Sequence, residues 1–306
     1  MVIDKPVGVT SSDVVVRVRR ATGAARVGHA GTLDPLATGI LPLAFGEATK
    51  TVAWAMAAAK VYRFTLRWGE ARETDDAAGA VTATSEARPT EAAIRAVLPA
   101  FTGDIMQVPP VYSALKVAGR RACDLARDGR PPDLAARPAR VDRLHLAGFV
   151  DPDHAVFEVT SGKGVYMRAL ARDIALALGT VGHVAALRRL SCGGFGEDRA
   201  ISLDKAESLG HIAPASEHLL PVETALDDIP ALALTGREAV CIRHGQPVPV
   251  LRTGDLQTVA ALGEGATVCA MSEGRLVALA RVAGQRIQPV RVINNTDGED
   301  TDVDYR

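Results

Sequence analysis

Residues 60 to 68 alternate between apolar and polar side chains, a pattern that predicts a half-buried β-strand. The apolar face carries the large side chains Tyr62, Phe64, Leu66 and Trp68. Arg63 and Arg67 fall on the opposite face of the same segment. We therefore expect one side of this strand to pack on a core and the other side to face solvent.

Shorter segments predict the other elements of the first two thirds of the chain. Apolar or β-branched runs predict strands at residues 2–4, 40–45, 112–117, 140–150 and 156–161, the second of which also fits a buried turn. Spacing and capping signals predict helices from Ser11 or Ser12 to Arg20, over 47–59, from Thr90 to about 100, and over 165–178 before Gly179. This irregular order predicts an α+β domain.

The amino-acid composition changes after about residue 204, where acidic residues and prolines become frequent. We expect a domain boundary between 215 and 230, with a first domain at 1–220. Residues 230–293 carry short β-branched runs between glycine turns, which predicts a small β-barrel; the glycines are Gly254, Gly263, Gly265, Gly274 and Gly284. Residues 294–306 are predicted to form an acidic, disordered tail.

The formal net charge of −1 conceals an uneven distribution of charges. The segment 115–145 carries eight basic and four acidic residues, whereas 294–306 carries five acids and one base. A basic segment of this kind suits a phosphate backbone, although ordinary solvated helix faces explain the charges equally well. We expect the acidic tail to compete with RNA for the basic face.

Several classes of protein are disfavoured by the sequence. No apolar run approaches the roughly 18 residues of a membrane span, and the start lacks the apolar core of a signal peptide. The four cysteines lie far apart, and the seven histidines form no close pair of the kind that binds zinc. No phosphate-binding glycine motif occurs either. We expect a cytoplasmic protein with no metal, no organic cofactor and no membrane partner.

The loop from Gly28 to Gly39 carries the most informative acid. Pro35 disfavours a helical conformation at Asp34, and the flanking glycines allow backbone shapes that other residues avoid. An acid in such a loop most often belongs to a simple turn. A carboxylate held there is also suited to act as a nucleophile or general base.

Six segments of the sequence together resemble the TruB-type pseudouridine synthases. They are residues 2–11, 26–39, 60–62, 110–116, 161–168 and 187–190, in the order that the family shows. The match covers nearly all of residues 1 to 210. It implies a pseudouridine synthase fold, which has a mixed, mainly antiparallel sheet flanked by helices and loops, followed by a PUA-like RNA-binding barrel.

The resemblance also implies a reaction and the residues that carry it out. The T-loop uridine at position 55 of tRNA would be flipped out and converted to pseudouridine. Asp34 would be the catalytic carboxylate, attacking either the ribose or the base ring so that the N-glycosidic bond breaks and the uracil re-attaches through carbon. Arg168 would pair with Asp34. Tyr62 would stack on the base and help to move a proton.

Further positions match substrate-contacting residues of the family. His29 would contact the rearranged RNA loop, while Tyr166 and Leu187 would line the pocket of the extruded uridine. Asp76 would contact the substrate, with an exposed loop acid as its alternative. Lys116, Arg188 and Arg189 are candidates for contacts with phosphates. For most of these residues, packing or simple exposure is the competing interpretation.

The resemblance implies the T-arm of tRNA as the partner and a monomeric enzyme that needs no cofactor. The leading rival is a non-catalytic RNA-binding protein or tRNA folding chaperone on the same scaffold. A nucleotide-binding enzyme and a metallohydrolase are weaker rivals, because their motifs are missing from the sequence.

Overall fold

The computed structural model of the chain describes residues 1–210 and 217–294, and within them it forms two main sheets. The strands are β1 (Val2–Lys5), β2 (Val27–His29), β3 (Thr38–Phe45), β4 (Lys60–Trp68), β5 (Glu70–Arg72), β6 (Val81–Thr84), β7 (Gly103–Gln107), β8 (Lys116–Val117), β9 (Arg120–Arg121), β10 (Arg137–Asp151), β11 (His154–Ser161), β12 (Gly182–Cys192), β13 (Ala200–Ser202), β14 (Ala231–Ala233), β15 (Val248–Pro249), β16 (Thr267–Ser272), β17 (Arg275–Ala283) and β18 (Arg286–Val292). Of the acidic tail predicted at 294–306, all but Asn294 lies outside the described residues.

Eight α-helices lie among the described residues. They are α1 (Ser11–Thr22), α2 (Val52–Ala55), α3 (Glu91–Val97), α4 (Ala122–Arg127), α5 (Met167–Ala177), α6 (Leu203–Ser208), α7 (Gly236–Arg243) and α8 (Thr253–Leu262). Short 3-10 helices occupy Gly46–Thr51, Leu98–Phe101, Glu197–Arg199 and Val222–Leu226. None of the described helices combines the length and the apolar character that a membrane crossing requires.

The first sheet has nine strands, in the order β13-β1-β3-β12-β4-β11-β10-β7, with β2 paired to β3. The pairs β1–β13 and β3–β12 are parallel, and the other pairs are antiparallel. This confirms the α+β class and the mainly antiparallel sheet expected from the sequence.

The alternation along β4 is realised as predicted, because Tyr62, Phe64, Leu66 and Trp68 are all buried. Phe64 stacks on Phe157 of β11 with ring centroids 5.2 Å apart, and Trp68 approaches the edge of the same ring at 6.3 Å. Aromatic pairs on one face of adjacent strands stabilise their register. The core of the sheet therefore forms on the face that also carries Tyr62.

Helix α1 has a different cap from the one predicted. Thr10, not Ser11 or Ser12, accepts the hydrogen bond from the Asp13 amide, and the Asp13 carboxylate accepts from Thr10 to complete a capping box. The helix ends at Gly23, whose φ of 67° is the left-handed conformation that glycine favours. Ser11 is unavailable as a cap because its side chain bonds to a loop elsewhere in the chain.

Two other predicted elements are shorter in the structure. Where a helix was predicted over 47–59, the structure has a 3-10 helix followed by α2. After α2, the Lys60 ammonium donates hydrogen bonds to the carbonyls of Met56 and Ala58. The strand predicted over 112–117 is reduced to β8. The carbonyls of Tyr112, Ser113 and Leu115 bond instead to Arg168, Cys123 and Ala122.

The second sheet is a curled half-barrel of five strands in the order β14-β16-β17-β18-β15. The sequence predicted strands and turns here, and it missed α7 and α8; the presumed turn glycine Gly254 lies inside α8. Helix α7 packs on the sheet through Ala239 and Ile242.

Hydrogen bonds connect the half-barrel to two of the 3-10 helices. The Leu276 amide donates to Glu223 at 2.7 Å, and the Lys50 ammonium donates to the Val292 carbonyl at 3.1 Å. The domain boundary between 215 and 230 stays a prediction.

We predict that Gly39→Ala destabilises the fold by about 3 kcal/mol, since Gly39 has a φ of 101° and an added Cβ would lie 2.2 Å from the Arg189 carbonyl oxygen. Gly119→Ala is the matched control, because Gly119 has a φ of 85° with open space around it. Its cost should be about 1 kcal/mol. Urea unfolding followed by tryptophan fluorescence measures both values, and equal costs would contradict the close approach.

Candidate active site

The loop between β2 and β3 holds Asp34 in a tight turn. The amide of Ala37 donates to the Asp34 carbonyl at 3.0 Å, and Pro35 occupies the position after Asp34. Pro35 fixes its own φ and disfavours helix at Asp34, as the sequence predicted. The carboxylate of Asp34 is one-third exposed and faces a pocket.

A buried lysine ties this loop to the segment after β1. The Lys5 ammonium donates to the carbonyls of Pro6 at 2.8 Å, Val9 at 2.7 Å and Pro35 at 3.4 Å. Burial lowers the pKa of Lys5 to about 8, while the negative charge of Asp34 opposes this change. The Gly8 amide also donates to the Pro35 carbonyl, at 2.7 Å. These hydrogen bonds from Lys5 and Gly8 hold the backbone beside Asp34 against the segment that follows β1.

Ser11 holds the residue before Asp34. Its hydroxyl accepts from the Leu33 amide at 2.8 Å and donates to the Leu33 carbonyl at 3.2 Å. Ser11 is buried, so both backbone groups of Leu33 would lack this partner without the hydroxyl. A residue predicted as a possible helix cap therefore positions the loop.

Arg168, in the first turn of α5, forms a bidentate ion pair with Asp34. Its Nε donates to Asp34 Oδ2 at 2.9 Å and its Nη2 donates to Asp34 Oδ1 at 3.1 Å. The same guanidinium donates to the carbonyls of Thr74 and Tyr112, each at 2.9 Å. The side chain is only 5% exposed. A planar guanidinium with all these partners fixes the orientation of the carboxylate.

Asp76 supports Arg168 from the loop after β5. Its carboxylate lies 3.6 Å from Arg168 Nε, and it accepts from Thr74 Oγ1 at 2.5 Å and from the Ala78 amide at 3.0 Å. The Asp76 side chain is 9% exposed, so the alternative of an exposed loop acid is wrong. Arg168 therefore lies between two carboxylates.

The carboxylate of Asp34 opens into a cavity of about 410 Å³. Seven of the residues singled out in the sequence line it: Asp34, Tyr62, Lys116, Tyr166, Arg168, Leu187 and Arg189. The cavity is large enough for a flipped nucleotide and is lined by both apolar and charged groups. Residues distant in sequence thus meet around one acid.

The other three predicted residues, His29, Asp76 and Arg188, are not part of this lining. His29 lies on β2, and its buried Nδ1 has no hydrogen-bond partner in the described parts of the chain. Burial, and then the charge of Arg189, lower the pKa of His29. Arg188 donates to Asp4 at 2.9 and 3.0 Å and pairs with Glu197 at 2.6 Å. Its hydrogen bonds with Asp4 raise its pKa.

Sequence reasoning missed several residues of the cavity, including Lys60, Ser113 and Lys163. It also suggested a phosphate contact for Arg189, but this side chain is 0% exposed and is buried in the cavity wall. Gln107 was missed too: its side chain accepts from the Tyr166 amide at 2.8 Å and donates to the Tyr166 carbonyl at 3.2 Å. No sequence signal marks Gln107, because its role depends on the packing of β7 against α5.

Comparison with protein families gives two adjoining matches along the chain. Residues 19–167 match the TruB family pseudouridylate synthase N-terminal domain, and residues 168–227 match the tRNA pseudouridylate synthase B C-terminal domain. The two matches meet between Met167 and Arg168, at the start of α5.

Curated relatives cover almost the whole chain. A protein named tRNA pseudouridine synthase B from Gluconacetobacter diazotrophicus is 58% identical, over 96% of this chain and 96% of its own. The protein of the same name from Rhodospirillum rubrum is 55% identical, with the same two coverages. That from Caulobacter vibrioides is 51% identical, over 96% of this chain and 95% of its own.

Solved structures share the fold. A chain from the crystal structure of a Cbf5-Nop10-Gar1 complex aligns with a TM-score of 0.74 and 26% identity, over 96% of this chain and 84% of that chain. A chain from the crystal structure of the archaeal box H/ACA sRNP Nop10-Cbf5 complex has a TM-score of 0.71 and 24% identity, over 97% and 86%.

We predict that Ser11→Ala loosens the loop before Asp34, because the Leu33 amide and carbonyl lose their side-chain partner. The cost should be about 1 to 2 kcal/mol. Exchange of the amides at 31–37, followed by mass spectrometry, should accelerate roughly ten-fold. Ser12→Ala, at the exposed neighbouring position, is the control and should leave the exchange unchanged. Equal exchange in the two variants would contradict this role of Ser11.

Proposed function

Because this chain belongs to the TruB family of pseudouridylate synthases, we propose that it converts the T-loop uridine of tRNA into pseudouridine with Asp34 as the nucleophile. The observation that carries the proposal is the Asp34–Arg168 ion pair, which presents a carboxylate to a cavity also lined by Tyr62 and Leu187. The proposed partner is tRNA, in keeping with the names of the curated relatives, and we propose the T-arm as the part that is bound.

The target uridine must leave its stack before it can meet Asp34, since the carboxylate lies inside a pocket of the protein. Leu187 and Tyr166 then contact the extruded nucleoside from two walls of the cavity. Burying the base there removes water from around the carboxylate, which strengthens the electrostatic interactions of the site.

The Asp34 carboxylate attacks the bound nucleoside, on the ribose or on the base ring. The N-glycosidic bond breaks with its electron pair passing to the uracil, which turns and forms a bond from carbon 5 to the sugar. The bond between the Asp34 carboxylate and the ribose or base ring breaks as the new bond forms or after it, and the carboxylate leaves with that electron pair. Arg168 keeps Asp34 in place with two hydrogen bonds. Asp76 is nearly buried beside Arg168, so a role through Arg168 is better supported than direct contact with the substrate.

Tyr62 stacks on the base and takes part in the proton transfer that completes the reaction. Its side chain is almost fully buried and shares the cavity with Asp34. Burial raises the pKa of the Tyr62 hydroxyl, and the charge of Arg189 opposes that rise.

The RNA outside the pocket is held by charge and by the β2 segment. Lys116 is exposed on the short hairpin at the cavity wall and is suited to a phosphate contact. Arg188 is half-exposed but shares its charge with Asp4 and Glu197, so we propose a weaker phosphate contact there. His29 contacts the rearranged RNA loop beside β3.

We also propose that the enzyme is a monomer that acts in the cytoplasm and uses no cofactor. Its C-terminal half-barrel binds RNA as a PUA-like domain. A non-catalytic RNA-binding or tRNA-folding role is the alternative. The intact constellation of Asp34, Tyr62 and Arg168 favours catalysis.

Asp34→Asn should abolish pseudouridine formation in an unmodified tRNA transcript and leave tRNA affinity unchanged. The amide keeps the shape of the side chain but is a poor nucleophile, so we expect a loss of at least about 10³-fold in rate. Modification is mapped at single-nucleotide resolution. Asp198→Asn, at an exposed position, is the control for the lost charge. Binding without conversion by the unmodified protein itself would favour the chaperone alternative.

Lys116→Gln should weaken tRNA binding and reduce its salt dependence. One phosphate contact contributes about 0.7 to 0.9 to the slope of log affinity against log salt, and the variant should lose that amount. Lys205→Gln, on α6 and outside the cavity lining, serves as the control with the same change of charge. Identical slopes for the two variants would remove Lys116 from the RNA interface.

A further inference from the structure

Arg189 is a fully buried cation without an acidic partner. Its side chain is 0% exposed, and no ion pair to it occurs within residues 1–210 and 217–294. Nε donates to the Ile40 carbonyl at 2.7 Å and Nη2 donates to the Gly31 carbonyl at 3.2 Å. Burying an unpaired charge is costly, so a fold that retains one needs a reason beyond packing.

The third nitrogen of the guanidinium lies beside Gly31 in the cavity wall. A Cβ at Gly31 would stand 3.4 Å from Nη1. Arg189 is also part of the cavity lining, together with Gly31 and Tyr62. The Ile40 and Gly31 carbonyls accept from Nε and Nη2 and hold the guanidinium in this wall.

The sheet places Arg189 directly beside Tyr62. The two residues are cross-strand partners in the antiparallel β4–β12 pair, so their side chains project from the same face with Cβ atoms roughly 5 Å apart. The charge of Arg189 lowers the pKa of the Tyr62 phenol, against the larger effect of burial, which raises it. The pairing is fixed by the register of two central strands.

We propose that Arg189 is a positioning residue for Tyr62: its buried guanidinium, placed beside the phenol by the strand register, stabilises the negative charge on the phenol oxygen that accepts a proton from the substrate. The other ionisable groups around the phenol do not do this. Asp34 and Cys192 oppose the phenolate, and the charge of Arg168 is already shared by Asp34 and Asp76. The Lys60 ammonium, two residues before Tyr62, donates hydrogen bonds to the Met56 and Ala58 carbonyls instead.

The step that this pair serves rests on the proposed function. After the uracil has joined the sugar through carbon 5, that carbon still carries its hydrogen. The C–H bond breaks, the proton passes to the Tyr62 phenolate oxygen, and the electron pair restores the C5–C6 double bond. The ring nitrogen freed from the sugar takes up a proton from solvent. Tyr62 then returns its proton to solvent before the next turnover.

The test measures the ionisation of Tyr62 directly, in the RNA-free full-length protein. Difluorotyrosine, whose phenol is more acidic than that of tyrosine, is placed at position 62 and titrated by fluorine NMR. Arg189→Gln removes the charge but keeps donors for the Ile40 and Gly31 carbonyls. Arg189→Met is the second neutral variant, since an apolar side chain of similar length suits a buried position.

In either folded variant we expect the pKa of the labelled phenol to rise by about one unit or more relative to the unchanged background. Arg63→Met is the matched control, because Arg63 adjoins Tyr62 in sequence but lies exposed on the other face of β4, paired with Glu158. It should leave the titration unchanged. An unchanged titration in the Arg189 variants, or an equal shift in the Arg63 variant, overturns the proposal.

A second readout follows the reaction itself with unlabelled protein. The acid limb of the single-turnover rate profile should move to higher pH in Arg189→Gln and stay in place in Arg63→Met. The NMR titration uses no RNA, so it tests the Arg189–Tyr62 pair even if the protein converts no tRNA. A protein that shows the NMR shift without conversion would contradict the proposed function alone.

Discussion

The ion pair between Arg168 and Asp34 is the interaction around which the site is assembled. One guanidinium binds the Asp34 carboxylate and the carbonyls of Thr74 and Tyr112, so it joins the start of α5 to three loops. A nearly buried arginine needs all of these partners, because a charge without them would make the folded state unfavourable. Each loop is therefore held in the position that completes the guanidinium's hydrogen bonds. The same requirement fixes the direction in which Asp34 faces the cavity.

The sheet supplies the second constraint, through strands that are adjacent in space but distant in sequence. Strand β12 lies between β3 and β4 and so joins the Asp34 loop to Tyr62. The parallel pairing of Gly39 with Arg189 leaves no room for a side chain at Gly39. The buried side chain of Arg189 forms part of the cavity wall. Stability and chemistry depend on the same contacts here, so the site is part of the core of the sheet and is not simply attached to its surface.

Many local features were predictable because they depend on neighbours in the chain. The alternation of β4, the end of α1 at Gly23, the strand over β11 and the turn at Asp34 follow from side-chain pattern, glycine and proline. Strand β12 was not predicted: its sequence mixes glycine, histidine and arginines with short apolar residues. Its strand conformation comes from hydrogen bonds to β3 and β4 on either side, which no local pattern encodes. Helix α7 was missed although the capping box of Thr235 and Glu238 is a local signal for its start. Helix α8 was missed because Gly254 was assigned to a turn.

The sequence by itself determined which residues are candidates for the chemistry, because an acid beside proline among glycines, and motifs resembling one family, are local in the chain. It determined Asp34, Tyr62, Arg168 and Leu187 as candidates, and all four line one cavity. Only the tertiary structure decided that Ser11 holds the Asp34 loop, that Gln107 holds Tyr166, and that Arg189 is buried beside Tyr62. Those roles depend on which side chains become neighbours after folding. That outcome is set by sheet register and burial, which here act between residues 22, 59 and 127 positions apart in the chain.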